Sequence, residues 1–357
     1  MNFFRRLVLF FSGIFFFLLV QGQDLDPERT SEALIDSLWI NIDLFEVEQP
    51  ARVTLTFDLK AFSKNKNNDD YQKAVIGFEL AEADTIITKE VRVKARGNSR
   101  KKRCTFPPIR LNINKSNVEN KYLDKTKNIK LVTHCKNSVV YEKYILKEYL
   151  VYKLFNVISP NSFRVRLLSV DYIDTGNKGK DVNTWAFLIE PEGLLDERLD
   201  GLKIEQDNLS QKSMEPKDMV RLTLFNYMIG NTDYAVTRRH NVKILMPEDI
   251  SKTLAIPIPY DFDYSGLVNA TYAVPFEGLG LKSVKERYYF GSCANEDIIP
   301  EILEEFKAKK QALFQVINGF DYLPERERKY MQDYLEEFFR MAEQKRFIEN
   351  NLLSTCL

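Results

Sequence analysis

Apolar and polar residues alternate with a period of two through "ARVTLTFDL" (51–59), which sets Val53, Leu55, Phe57 and Leu59 on one side. The alternation returns through "TIITKEVRVKARG" (85–97) at Val91, Val93 and Ala95. This is the pleat of half-buried strands. "FPPIRLNIN" reads as one more strand with a Pro pair at its start. The period then lengthens. In 139–157, Tyr141, Ile145, Tyr152 and Phe155 share a helical stripe on which Glu148 also falls. Strand patterns follow at 162–174 and 184–190. Beyond residue 190 helices prevail: "EPKDMVRLTLFNYMIG" opens near Pro216, sets Val220, Leu224, Tyr227 and Met228 on one face, and closes at Gly230. Residues 296–316 and 323–353 are amphipathic and rich in Glu and Lys. The patterning predicts an α+β chain with a strand-rich N-terminal lobe (23–190) carrying helix 139–157, a mainly helical C-terminal lobe (191–357), and a cleft between them.

The first 22 residues stand apart. Arg5 and Arg6 precede an apolar run from Leu7 to Val20, and Val20 and Gly22 suit a signal peptidase. The segment reads as a secretory signal peptide, too short to span a bilayer. Export to the periplasm, cell envelope or medium is expected, with no membrane span after signal removal. The 357 residues carry 51 Lys and Arg against 51 Asp and Glu, so removing Arg5 and Arg6 with the signal leaves a net of −2. That balance gives no pull toward nucleic acid. The one basic run, Lys94 to Arg110, reads either as a solvated edge or as a phosphate-facing loop. Cys104, Cys135, Cys293 and Cys356 share no metal-type spacing. In an exported protein one or two disulfides are expected, with Cys104–Cys135 favoured because each adjoins a strand-like run in the same region.

Two polar segments sit between apolar runs: "GNTDYAVTRRHNVKIL" (230–245) and "IPIPYDFDYSG" (256–266). Asp233 lies in a loop after a helix, and Asn241 opens a short strand. Asp261 and Asp263, two apart in an extended segment, would face one side. A loop carboxylate to orient a hydroxyl, with an Asn and an Asp to hold metal on phosphates, is the equipment of phosphoryl transfer. Such oxygen ligands suit Mg²⁺ or Mn²⁺. Each residue also has a structural role open to it: an Asx-turn for Asp233, a strand-start bond for Asn241, ion pairing of Asp261 and Asp263 with Arg238 and Arg239, and a hydrogen-bonded structural role for His240.

These segments resemble the CotH-type atypical kinases of spore coats and, more distantly, HipA-like kinases. "VRVKARGNSRKKRCTFPPIRLNI" is similar to the "RGNS…FP" stretch of CotH domains, "NTDYAVTRRHNVKIL" to their catalytic loop, and "PIPYDFDYSG" to their metal segment. The resemblance covers roughly residues 85–270. It implies an atypical protein-kinase-like two-lobed fold and phosphoryl transfer from ATP to a protein or small hydroxyl acceptor. Asp233 would then be catalytic, and Asn241, Asp261 and Asp263 would hold metal. Glu148 would anchor a phosphate-binding cation, either Arg110 or Lys130. "AFLIEPE" (186–192), ending near Glu190, would form a hinge against the adenine, and Arg238 or Arg239 would meet phosphate oxygens. The Asp233–Asn241 spacing is longer than in ordinary protein kinases, and a G-x-G-x-x-G loop is absent. Two other functions compete: an inactive cell-envelope binding module, and a glycosyltransferase using "DFD" as its D-x-D metal segment.

Overall fold

A computed structural model describes residues 44–80, 85–97, 99–113, 127–177 and 179–357. The signal-peptide segment lies outside these residues. Strand β1 (Ala51–Phe57) buries Val53, Leu55 and Phe57 between more exposed neighbours, as the alternation requires. Leu59 instead enters a short helix, α1 (Leu59–Lys64), because the Asp58 carboxylate caps the Ala61 N–H at 2.7 Å. Strands β2 (Gln72–Leu80), β3 (Thr85–Ala95), β4 (Ile109–Ile113) and β5 (Asn128–Val132) continue as an antiparallel meander. Helix α2 (Ser99–Arg103) interrupts it between β3 and β4. Helix α3 (Val139–Ile158) then carries the chain to β6 (Val165–Asp174) and β7 (Val182–Ile189), where β7 pairs with both β5 and β6.

One pairing decides the architecture. β1 runs parallel to β6, in register from Ala51–Leu168 to Phe57–Asp174, so the seven strands close into a barrel ordered β1-β2-β3-β4-β5-β7-β6. The barrel interior is filled by side chains such as Leu55, Phe78, Val93, Leu111, Val170 and Leu188. β6 and β7 are apolar almost continuously because both of their faces are covered: Leu168 and Leu188 point into the barrel, while Leu167 and Phe187 pack beneath α3.

After β7 come α4 (Glu192–Arg198), β8 (Gly201–Lys203), α5 (Pro216–Ile229), β9 (Val242–Pro247) and β10 (Ile256–Pro259). The three strands form a separate antiparallel sheet, β10-β9-β8. Helices α6 (Ile299–Ala308), α7 (Lys310–Asn318) and α8 (Glu325–Ala342) follow, so the first long helix expected at 296–316 is broken at Lys309. The predicted helix start near Pro216 and stop at Gly230 both occur; Gly230 adopts φ +65° and its N–H closes onto the Asn226 and Tyr227 carbonyls.

The expected two-lobed, kinase-like fold with a helical C-terminal lobe is not what the chain forms. Closure of the barrel by β1 and β6 replaces the open sheet of an N-terminal lobe. The second half contributes a sheet of its own, and its helices share one apolar core with α3, β6 and β7. Phe155 meets Phe225 with ring centroids 4.7 Å apart, and Tyr149 meets Phe320 at 5.6 Å. Helix α3 is therefore the centre of the molecule rather than a helix laid on one lobe. The described residues of 51–113 contain no βαβ unit of the kind a nucleotide-sugar transferase would need.

Two disulfides are present. Cys104–Cys135, the favoured pair, staples the end of α2 to the segment after β5, and Cys293–Cys356 ties the C-terminal residues to the loop before α6. Both fit an oxidising environment. No described helix is long and apolar enough to cross a membrane.

Candidate functional site

The loop after α5 is built by its own amides. Asn231 donates to the Asn226 side chain at 2.8 Å, and its oxygen accepts the Asp233 N–H at 3.0 Å, which fixes where Asp233 begins. A short bridge between Ala235 and His240 folds the chain back. Asn241 then donates to the Asp233 carbonyl at 2.7 Å and to Oδ2 at 3.1 Å, while His240 Nε2 lies 2.8 Å from Oδ1. Both carboxylate oxygens are thus oriented by side chains seven and eight positions on. The hydrogen bond to Asp233 raises the His240 pKa above its ordinary value, against partial burial.

The second segment enters from β10. The Tyr260 N–H donates to the Asn241 carbonyl at 3.0 Å, so the two segments touch. Phe262 is completely buried against Tyr152 (4.8 Å) and Phe225 (5.8 Å) and anchors the pair of Asp around it. Asp261 and Asp263 do converge, but by a different route from the one expected. β10 stops at Pro259, and Asp261 sits at φ +63°, its N–H donating to Tyr152 Oη at 2.8 Å. A left-handed turn, not the pleat of a strand, brings the carboxylates together. Arg239 (φ +49°) and Asn241 (φ +52°) are in the same sparsely populated region. Three such non-glycine residues beside one cleft mark backbone that the surrounding structure holds in place.

Glu148, from α3, completes the acidic group: it offers one oxygen, as do Asp261 and Asp263, and these atoms lie within 4.8 Å of one another. Arg100 of α2 bridges two of the three. Its Nη2 donates to Glu148 Oε2 at 2.8 Å and lies 2.6 Å from Asp263 Oδ2. The other Glu148 oxygen, Oε1, is buried without a hydrogen-bond partner. Burial, opposed by Arg100 and aided by the neighbouring Asp263 and Asp261, pushes the Glu148 pKa up to about 8; burial raises Asp263 as well. A buried carboxylate oxygen with no donor, among three carboxylates, fits a divalent cation with oxygen ligands. The cluster can hold a metal ion.

Cations line the same cleft. Arg96, Arg110 and Lys130 line the same space of about 490 Å³ as Asp233, Asn241, Asp261 and Asp263. Lys94, Arg110 and Lys130 sit directly opposite one another on β3, β4 and β5. Like charges so placed are destabilising unless an anion joins them. Lys94 has Asp69 at 3.0 Å, and Lys130 has Glu192 at 3.1 Å and the Tyr260 ring at 5.1 Å. The guanidiniums of Arg96 and Arg110 make no hydrogen bond or ion pair among the described residues. Asp261 is the nearest source of attraction for Arg96, and burial lowers its pKa.

Several expected roles are corrected. The cation that Glu148 anchors is Arg100, not Arg110 or Lys130, neither of which pairs with Glu148. Asn241 is at the cleft with its amide nitrogen on Asp233, and Glu148 joins Asp261 and Asp263 as the third carboxylate of the cluster. Glu190 is not at the cleft at all. It is buried at the end of β7 between Arg164 and Arg198, each at 2.8 Å, and residues 186–189 before it are interior strand, so no adenine hinge forms there. Asp261 and Asp263 do not pair with Arg238 or Arg239. Arg239 lines the cleft with its guanidinium on Asp207 at 2.8 Å, while Arg238 is exposed beside Asp233 in an adjoining depression. The basic run divides: Arg96, Arg100 and Arg110 turn inward, whereas Lys102 and Arg103 are exposed. Arg96 and Arg100 were missed as individual residues. Their signal was Gly97 between them, which at φ +88° turns the chain from β3 into α2.

No protein-family model matches this chain, and no curated protein matches it in sequence.

Proposed function

We propose that the protein transfers a phosphoryl group from a nucleoside triphosphate to a hydroxyl acceptor, with Mg²⁺ or Mn²⁺ at the acidic cluster. The observation that carries this reading is one cleft lined by Asp261 and Asp263 of the acidic cluster together with the Arg96 and Arg110 guanidiniums, which make no hydrogen bond or ion pair among the described residues. A triphosphate carrying a divalent cation is the ligand that answers both sets of charges at once. The order of the sequence motifs, similar to that of CotH-type kinases, supports the activity; the barrel gives no support to their fold.

Glu148, Asp261 and Asp263 would hold the cation, which when bound offsets phosphate charge. Arg96, Arg110 and Lys130 would grip the phosphate oxygens. Asp233 stands at the rim, and Asn241 and His240 orient it toward an incoming hydroxyl. The acceptor oxygen forms a bond to the terminal phosphorus as the bond from that phosphorus to the bridging oxygen breaks. The acceptor proton passes to the Asp233 carboxylate, and the nucleoside diphosphate leaves. The two disulfides fit an exported protein, and a leader at residues 1–22 would put this chemistry outside the cytoplasm.

The test is transfer of radiolabel from ATP with Mn²⁺ or Mg²⁺. Asp233→Ala is expected to lower transfer by about 10²–10⁴ while leaving nucleotide and metal affinity within a few-fold. Tight nucleotide binding with no transfer by the unaltered protein would favour a binding module instead.

A further inference from the structure

Beside Asp233 the surface continues away from the cations into a groove. Its first part, about 330 Å³, is lined by Thr232, Asp233, Tyr234, Arg238, His240 and Phe276. The second part, about 220 Å³, shares four of these residues and runs on past Gln211 and Phe290. Its chemistry differs from that of the cleft: the floor is aromatic, with Tyr234 edge-on to Phe290 at 5.6 Å, and Phe276 is 49% exposed at the rim. One polar group with unused capacity faces it. The exposed Arg238 guanidinium makes no hydrogen bond or ion pair among the described residues, whereas the adjacent Arg239 is paired with Asp207. Gln211 donates to the Phe290 carbonyl at 3.0 Å, which fixes its amide orientation and leaves a buried oxygen, Oε1, without a donor. The walls are firm. The Phe276 N–H is tied to Thr232 at 3.3 Å, and Cys293–Cys356 holds the segment next to Phe290.

We propose that this groove is the acceptor subsite, and that it takes a peptide whose hydroxyl-bearing Ser or Thr is flanked by an apolar or aromatic residue and an acidic one. This rests on the phosphoryl-transfer reading for the role of Asp233. The hydroxyl lies at Asp233, the apolar side chain on Tyr234 and Phe276, and the acidic group on Arg238. The groove is open along its length, which suits an extended chain rather than an enclosed metabolite. Arg238, unpaired among the described residues, selects against basic sequences.

The experiment uses fluorescein-labelled peptides, each with one Ser, one Phe and either Glu or Lys, placed on either side of the Ser. Binding is read by anisotropy and transfer by radiolabel, on the same peptides. Glu peptides are expected to bind about tenfold tighter than Lys peptides, as one charge-assisted contact provides. Arg238→Glu should reverse that preference and Phe276→Ala should weaken both series several-fold. Arg238 is exposed and makes no hydrogen bond or ion pair among the described residues, so its substitution breaks none. Failure of every peptide to bind, equal binding of Glu and Lys peptides, or an unchanged preference in Arg238→Glu overturns the subsite. Binding with the expected preference but no transfer leaves the subsite standing and overturns the phosphotransferase reading.

Discussion

Glu148 and Glu190 are both about 1% exposed and both lie next to arginine, yet the molecule treats them differently. Glu190 is saturated. Arg164 gives it a side-chain bond at 2.8 Å and a main-chain bond at 3.1 Å, and Arg198 adds two more at 3.0 and 2.8 Å. Glu148 receives one bond, from Arg100, and shares that donor with Asp263. Its other oxygen is left bare toward two further carboxylates. The first arrangement joins β6, β7 and α4 and wants nothing more. The second leaves an oxygen open to a cation. Burial alone does not separate a structural carboxylate from a functional one; the count of donors does.

The same substitution at both sites breaks or sharpens this contrast, and the largest effect is expected at Glu190. Glu190→Gln leaves two partly buried guanidiniums facing a neutral amide. Removing one partner from a buried ion pair costs about 3–5 kcal/mol. Chemical denaturation should show a loss of that order, with bound metal making no difference to it. A change under about 1 kcal/mol would mean that the clamp is not structural.

Glu148→Gln should do the reverse. In the metal-free protein the raised pKa keeps this carboxyl largely protonated at neutral pH, so an amide replaces it at little cost, within about 1 kcal/mol. The loss appears in Mn²⁺ affinity, expected to fall by about tenfold or more because one of three oxygen donors is weakened. Calorimetric titration reads this directly. Unchanged Mn²⁺ affinity would remove Glu148 from the site.

How much of this could be read beforehand follows from the range of the forces involved. The strands at 51–57, 85–95 and 165–174, the helix at 139–158 and the stop at Gly230 are local events, set by periodicity and capping. The parallel pairing of β1 with β6 joins residues more than a hundred positions apart, and period-two alternation is silent about partners. That is why an open lobe was expected and a closed barrel formed. At the site, Asp233, Asn241, Asp261 and Asp263 were visible because polar residues between apolar runs need a reason. Glu148 was visible as a charge on an apolar stripe, but its partner was not. Arg100 belongs to a run of similar cations, and only the Gly97 turn and the Cys104–Cys135 staple decide which of them points inward. Glu190 misled for the opposite reason: its two arginines arrive from elements 26 residues before it and 8 after.

A smaller effect separates the two sites by pH. The folded-state pKa of Glu148 is raised, so the folded state binds its proton more tightly than the unfolded chain does. Its contribution to stability is fully present below the ordinary Glu value of 4.5 and is lost as pH rises toward and through about 8. The metal-free protein should therefore lose stability over that interval. Saturating Mn²⁺ should flatten the slope, because a cation favours the deprotonated carboxylate. Glu148→Gln should flatten it as well, without metal. A slope that persists in Glu148→Gln would point to another titrating group.

The smallest effect is expected at His240, because it is half-exposed and Asn241 also holds Asp233. The His240 pKa lies above its usual value through its bond to Asp233. The stability this adds is complete below pH about 6.5 and disappears as pH rises through the raised folded value. Solvent screening keeps it small. Activity should move the other way. While His240 is protonated, its charge draws on the Asp233 carboxylate and weakens it as a proton acceptor; once His240 is neutral, Asp233 is free to take the acceptor's proton. Transfer should therefore increase with pH through that value, while stability declines slightly. His240→Asn should remove the increase and lower the high-pH rate only a few-fold, since the Asn241 bonds at 2.7 and 3.1 Å still hold the loop. A pH–rate profile of the variant that keeps the same increase would show that the titrating group is not His240, and the orientation of Asp233 would then rest on Asn241 alone.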